Sequence, residues 1–356
     1  MSRLIRAVID TQALRHNLST IRARAGSARV MAVVKANAYG HGLVPTALAL
    51  AGADAFGVAR LEEGLALRAA GIKAPIMLLE GVFSADQLGE AARHNLELAV
   101  HDPFQIELLE NFPRLKRLVL WIKIDTGMNR LGFAPTEFAL ALTRLRALAA
   151  HEIRLLTHLA CADERTNPMT QMQLTRWREA TRGLSYPTSI ANSPGLFGDA
   201  QVGGDWVRPG LALYGASPFA DRLASDLGLR PVMTLTTSVI AVRRVPPGER
   251  VGYGGAWVAE RDSSIAIVAS GYGDGLPRSF GNGTPVLVGG VRAPLAGTVS
   301  MDMIAVDVTG RTDVRVGTEA VLWGPGLPVE EMARHAGTIP YELLCSVSQR
   351  VPLEPR

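Results

Sequence analysis

The sequence predicts an α/β protein: an eight-stranded parallel (β/α)8 barrel followed by a mostly β C-terminal domain. Three observations carry that expectation. From residue 28 to about 213, short apolar runs alternate with segments whose apolar residues recur three and four apart, the rhythm of β/α units. The runs number eight, enough to close a ring, and are apolar nearly throughout, which suits parallel strands buried on both faces. Beyond about residue 230 the rhythm changes to closely spaced strand-like runs broken by glycine and proline. The chain has 356 residues, more than the roughly 250–300 at which a single core stops growing. Two domains are therefore expected, a barrel over residues 1–230 and a β domain over residues 231–356, with the first few residues free to pair with the β domain.

The elements follow in order. A helix opens with Thr11 as its N-cap and places Leu14, Leu18 and Ile21 on one face, with Arg15 and Arg22 elsewhere. Barrel strands are expected near 28–35, 55–59, 75–80, 96–100, 117–124, 152–158, 188–192 and 206–214. Val30-Met31-Ala32-Val33-Val34 and Leu118-Val119-Leu120-Trp121-Ile122 are the clearest of them. The β domain is expected to use Val232–Val242, Ile265–Ala269, Thr284–Val288 and Met303–Val308. In such a barrel an active site lies at the C-terminal ends of the strands.

Bulk properties exclude several functions. The 37 basic and 33 acidic residues are spread along the chain without a basic stripe, so no nucleic-acid partner is expected. Cys161 and Cys345 are far apart and lack metal-ligand spacing, which argues against a metal site or a disulfide framework and fits a reducing cytoplasm. Met1-Ser2-Arg3-Leu4-Ile5-Arg6 has no signal-peptide pattern, and no apolar run reaches the ~18 residues of a membrane span. A soluble protein without a membrane partner is the expectation.

Lys35 ends the first barrel strand, where its amine can form a Schiff base; taken alone, a lysine there usually only extends its ammonium into water. Its setting changes that reading. Lys35-Ala36-Asn37-Ala38-Tyr39-Gly40-His41-Gly42 closely resembles the cofactor-lysine signature of the alanine racemase family, whose barrel binds pyridoxal 5'-phosphate. The resemblance continues through Lys123-Ile124-Asp125-Thr126-Gly127-Met128-Asn129-Arg130-Leu131-Gly132, His158, Asn192-Ser193 and Arg208-Pro209-Gly210-Leu211. In the second domain it takes in Val251-Gly252-Tyr253-Gly254, Gly271-Tyr272-Gly273-Asp274-Gly275, Val299-Ser300-Met301-Asp302-Met303 and Pro340-Tyr341-Glu342. It spans essentially the whole chain. Two positions depart from it: the family often has alanine at Gly273 and commonly threonine at Cys161.

The resemblance implies a racemase that interconverts L- and D-alanine with two bases. The cofactor, joined to an amino acid as an aldimine, acidifies the α C–H. Racemisation then needs a base on each face, because a single fixed base tends to return the proton to the side it left. Lys35 would serve the D-enantiomer and Tyr253 the L-enantiomer. A tyrosine is a poor base at neutral pH, so its phenolate needs nearby donors or positive charge; His158 is the implied partner. Arg208 would face the pyridine nitrogen as a donor that does not give up its proton, which weakens the electron sink and suppresses transamination. Tyr39, Ser193, the backbone at Gly210 and Leu211, and Tyr341 match the phosphate ligands, with Asn192 and His158 in the same cofactor-binding set. Arg130 and the Met301 amide would meet the substrate carboxylate, with Asp302 as a neighbour, Tyr272 narrowing the entrance and Arg278 stabilising the phenolate side near Tyr253. Lys123 either carries a carbamate that positions Arg130 or forms an ordinary ion pair with an aspartate.

Other readings are a serine, lysine or broad-spectrum racemase of the same fold, a decarboxylase sharing it, and a non-catalytic pyridoxal-phosphate carrier. The carrier would need Lys35 but neither Tyr253 nor a large β domain. The resemblance further implies a homodimer with shared sites, Tyr253 of one subunit completing the site around Lys35 of the other.

Overall fold

The computed structural model describes residues 4–112, 118–148, 152–198, 200 and 202–356. Residues 1–3, and position 117 at the start of the expected fifth strand, lie outside them. The backbone divides into two compact units. One comprises Arg15–Ala38 and Leu43–Leu213; the other takes the residues up to Leu14 together with Tyr39–Gly42 and Tyr214–Arg356.

Strand β1 (Arg6–Ile9) belongs to the second unit. The first unit is a closed parallel barrel of β2 (Arg29–Val33), β3 (Ala55–Val58), β4 (Ile76–Leu78), β5 (Glu97–Val100), β6 (Val119–Lys123), β7 (Glu152–Leu156), β8 (Thr188–Ser189) and β9 (Trp206–Val207). Pairing of β2 with both β3 and β9 closes the ring, through Met31 opposite Ala55 and Val30 opposite Val207. The last two strands are shorter than the apolar runs suggested. Thr188–Ser189 and Trp206–Val207 alone form ladders, and Leu211–Tyr214 is a 3-10 turn, because Pro209 has no N–H to continue a strand.

Helices return the chain between strands, and some of them start on side-chain caps that the sequence chemistry supplies. Ser84 accepts from the amide of Gln87 at 3.2 Å, and Asp102 accepts from Phe104 at 3.0 Å ahead of Pro103. The helix Thr11–Ala25 differs from expectation: its cap is Asp10, whose Oδ1 accepts from the amides of Gln12 and Ala13 at 2.8 Å, while the Thr11 hydroxyl donates to the Arg356 carbonyl. The Asp10 carboxylate satisfies two of the orphan N–H groups of the first turn, and its charge suits the positive end of a helix.

Met31, Ala55, Met77, Ala99, Trp121, Leu156 and Trp206, each from a different barrel strand, pack into one buried cluster, so the barrel interior is filled. Charge is buried there too. Arg154 lies over the rings of Trp121 and Trp206 at 5.0 and 5.2 Å, and pairs with Glu97 at 3.2 Å. Glu97 also accepts from the Trp121 indole at 2.7 Å.

The second unit is mostly β. It contains β10 (Met233–Val245), the small hairpin β11 (Arg250–Val251) and β12 (Trp257–Val258), then β13 (Ser263–Val268), β14 (Pro285–Val288), β15 (Val291–Pro294), β16 (Ile304–Asp307), β17 (Glu319–Trp323) and β18 (Leu353–Pro355). The strand order is β15-β14-β17-β10-β1-β18, with β13 pairing β10 and β16. The first half of β10 pairs with β1 and β17, and its second half, from Val239 to Val245, pairs with β13 across a shift in register between Val239 and Ala241. Strand β1 runs antiparallel to β10 and parallel to β18.

Candidate active site

Lys35, half-buried, follows the end of β2. The next residues, Ala36, Asn37, Ala38 and Tyr39, all have φ between 53 and 55°. Left-handed backbone costs a non-glycine residue about 1–2 kcal/mol, so four in succession must be held from outside. Glu63 accepts from the Ala36 amide at 2.7 Å and from the Ala59 amide at 2.9 Å, tying the turn after β2 to the loop after β3. Asn37 accepts from the Leu43 amide at 2.8 Å. Backbone strain of this kind is concentrated where a side chain must be aimed.

The neighbouring strand end carries Arg208, just past β9 and 4% exposed. Its Nη1 donates to Ser189 Oγ and its Nη2 to the Thr157 carbonyl, both at 2.5 Å. Burial lowers the guanidinium to about 10, which leaves it a cation at neutral pH. Lys123 ends β6 almost fully buried; burial first, then the positive charges of Arg130 and Arg208, lower its amine to about 8, against the attraction of Asp125. His158 follows β7. Burial and the cations Arg208, Lys123, Arg130 and Lys35 push its imidazole well below the usual histidine range, so it is neutral. Arg130 itself is exposed on the loop after β6.

Ser193 Oγ is buried and accepts from the amides of Gly210 and Ala212 at 3.0 and 3.3 Å, drawing the turn at Gly210-Leu211 against the strand end of β8. Asn192 has a structural employment: its Oδ1 accepts from the Gly195 amide at 3.0 Å, and its Nδ2 donates to the Leu159 carbonyl at 3.3 Å.

The remaining expected residues belong to the β unit. The Tyr39 ring stacks on Tyr214 at 4.7 Å and lies 6.0 Å from Tyr341. Burial raises the Tyr39 phenol far above its ordinary range, so it keeps its proton. Gly40, φ +80°, passes so close to the Leu344 carbonyl that an added Cβ would sit 2.1 Å from that oxygen. Tyr253 lies in a short 3-10 turn between β11 and β12 and is 71% exposed. Tyr272 is 42% exposed; its amide donates to the Ser300 carbonyl at 3.0 Å, and the Gly273 amide donates to the Met301 carbonyl at 2.8 Å. Arg278 donates to the Val299 carbonyl at 2.9 Å, bracing the same loop. Asp302 accepts from Arg350 at 2.6 Å, and Arg350 also reaches Asp274 at 3.4 Å. A Cβ at Gly273 would lie 2.3 Å from Arg350 Nη1, the mobile end of a half-exposed side chain, and 3.1 Å from the Met301 carbonyl, so alanine there asks only for a small shift.

Sequence reasoning passed over Ser189, Thr126, Thr157 and Gln173, all buried beside the strand ends. One signal was available for Gln173. On the helix Met169–Ala180 the buried positions are Thr170, Gln173, Leu174 and Trp177, so a long amide interrupts an otherwise core-facing stripe.

Among the described residues no helix is long and apolar enough to cross a membrane. Comparison with known proteins is uniform. The profile described as "Alanine racemase, N-terminal domain" matches residues 9–218, and that described as "Alanine racemase, C-terminal domain" matches residues 232–354. The chain is 48% identical to an alanine racemase of Vibrio vulnificus over 349 residues, 98% of each chain. It is 49% identical to one of Nitrosococcus oceani over 351 residues, 97% of this chain and 98% of that one. Among solved structures, the biosynthetic alanine racemase of Pseudomonas aeruginosa superposes with a TM-score of 0.96 at 44% identity, covering 100% of this chain and 99% of the other. The alanine racemase of Acinetobacter baumannii gives a TM-score of 0.96 at 40% identity, with 100% of both chains covered. With both domains matched in order and a relative 48% identical over 98% of the chain, the chain belongs to the alanine racemase family.

Proposed function

We propose that the chain interconverts L- and D-alanine at a pyridoxal 5'-phosphate site, with Lys35 and Tyr253 as the two bases. The observation that carries this reading is the pairing of two adjacent strand ends. Lys35 is held after β2 by a strained left-handed turn, and Arg208 is buried after β9 with a hydroxyl and a carbonyl as its hydrogen-bond acceptors. A buried guanidinium bound to neutral acceptors is costly unless something polar is to be met there. A pyridine nitrogen fits that donor, and a carbonyl carbon fits the Lys35 amine.

When bound, the cofactor supplies the electron sink that acidifies the α C–H. The chain's own residues do the rest. Arg208, a cation with its proton held to about 10, would hold the ring nitrogen as a donor that keeps its proton. Tyr39, Tyr341 and Ser193 would offer hydroxyls and Leu211 a backbone amide as neutral donors to the phosphate dianion, while the Gly210 amide donates to Ser193 Oγ and holds that hydroxyl in place. Lys35 takes or returns the α-proton on the face that yields D-alanine, and Tyr253 on the face that yields L-alanine. Neutral His158 is the hydrogen-bond partner that orients the Tyr253 phenol. Arg130 and the Met301 amide receive the carboxylate.

Lys123 is read as a carbamate. With its amine lowered to about 8, roughly a tenth is the free base at pH 7, against well under a thousandth for an ordinary lysine. Reaction with carbon dioxide (RNH2 + CO2 → RNHCOO⁻ + H⁺) replaces one of several crowded cations by an anion that can hold Arg130. The large exposure of Tyr253, Tyr272 and Met301 supports a homodimer in which a second copy brings Tyr253 to Lys35. The free thiols Cys161 and Cys345 fit the reducing cytoplasm.

The test is direct. Protein loaded with pyridoxal phosphate and given L-alanine is expected to end at equal amounts of the two enantiomers, which have equal free energy in water. Serine and lysine run in parallel decide between alanine and broader specificity. No D-alanine from the loaded protein would overturn the reading.

A further inference from the structure

Gln173 is fully buried on the helix Met169–Ala180, and its amide spans two loops at the C-terminal end of the barrel. Its Oε1 accepts from the Ala160 amide at 2.8 Å. A backbone N–H can only donate, so the orientation of the side chain is fixed and Nε2 faces the opposite way. There it donates to the His158 carbonyl at 2.9 Å and to Thr126 Oγ1 at 3.2 Å. Thr126 is in turn 2.9 Å from the Thr157 hydroxyl, and the Thr157 carbonyl is the acceptor for Arg208.

A second contact seats the same loop on the same helix. Arg176, one turn beyond Gln173, donates to the Thr126 carbonyl at 3.3 Å. Gly127, φ +138°, lies against that helix so closely that a Cβ would be 2.9 Å from Arg176 Nη1 and 3.3 Å from the Met169 methyl. The far end of the loop is closed by the Asp125 amide donating to the Phe133 carbonyl at 2.9 Å. Between these anchors stands Arg130.

We propose that Gln173 is the positioning residue of the substrate-carboxylate end of the site, fixing the loop that carries Arg130 against the strand end that carries His158. This rests on the reading of Arg130 as the carboxylate's partner. A buried apolar residue would fill the space equally well, but only an amide can satisfy an N–H on one side and a carbonyl and a hydroxyl on the other. Loosening the loop weakens capture of the carboxylate without removing either proton-transfer group.

The experiment measures KM and kcat for L-alanine per bound cofactor, and Ki for propionate, a carboxylate that has no amine and so reads the carboxylate subsite alone. Gln173→Met keeps length and removes all three hydrogen bonds; Thr126→Val removes the hydroxyl that meets Gln173 and Thr157 but leaves the Arg176 link to the Thr126 carbonyl in place. Both are expected to raise KM and the propionate Ki, Gln173→Met about tenfold and Thr126→Val less, with kcat within about twofold of the parent. A purely structural role would lower thermal stability and the fraction of active protein but leave KM and Ki unchanged, and that result overturns the proposal. Should Gln173→Met fail to fold, Thr126→Val decides on the same criterion. Arg130→Lys is the control. If it leaves the propionate Ki unchanged, the reading of Arg130 falls and the inference with it; if it raises Ki while the other two variants do not, the inference alone falls.

Discussion

Lys123 is surrounded by Arg130, Arg208 and Lys35 and has Asp125 as its attracting neighbour, so as an ammonium it adds to a crowd of positive charge in a buried place. Carbamate formation requires the free amine, and the free amine grows as pH rises through about 8. At constant dissolved carbon dioxide, a 13C-carbamate NMR signal is therefore expected from protein equilibrated with labelled bicarbonate, increasing with pH across that range and absent from Lys123→Met. A parent spectrum identical to that of the variant would leave Lys123 an ion-pair partner of Asp125. At this scale Lys35, Arg130, His158, Arg208 and Tyr253 were legible as candidates, because each sits in a run whose residue types are unusual together. The side chains that hold them were not. Ser189 and Thr157 are ordinary strand-end residues in sequence, and their use as acceptors for Arg208 depends on strands 51 and 19 residues apart meeting it.

Among the elements, the barrel interior shows why a sequence of apolar runs is an incomplete description. Glu97 and Arg154 lie in β5 and β7, both nearly unexposed, and read in sequence as breaks in otherwise apolar strands. Burial raises the Glu97 carboxyl above the usual range in spite of Arg154 and the Trp121 indole, so the charged pair is retained against a desolvation cost. Removing one member should be worse than having neither. Glu97→Ala is expected to destabilise the protein by about 3 kcal/mol, seen as a lower midpoint in urea, with the double change Glu97→Leu and Arg154→Leu recovering most of the loss. A Glu97→Ala protein as stable as the parent would mean that Arg154 needs only Glu152, 2.7 Å away. Apolar runs located all eight barrel strands because parallel strands are buried on both faces. The runs overreached at β8 and β9, where buried loop backbone is equally apolar. Strands β11, β12, β15, β17 and β18 escaped notice because they are only two to five residues long, too short for an apolar run to stand out, and four of the five contain a charged residue or a proline.

For the whole molecule, the proposed shared site makes a prediction that does not depend on any one distance. Lys35→Ala and Tyr253→Phe, each nearly inactive, should recover activity when co-expressed, because a mixed dimer contains one site with both bases and one with neither. Mixed dimers isolated by two different tags, yet no more active than either parent variant, would place both bases on one chain. The assignment of one base to each face is the central claim, and α-proton exchange in D2O tests it most directly. Tyr253→Phe loaded with pyridoxal phosphate keeps Lys35 on the D face. Its 1H NMR spectra should show D-alanine losing its α-proton signal while remaining D-alanine, and L-alanine keeping its α-proton over the same time. Exchange at equal rates from both enantiomers, or from L-alanine alone, would contradict the account.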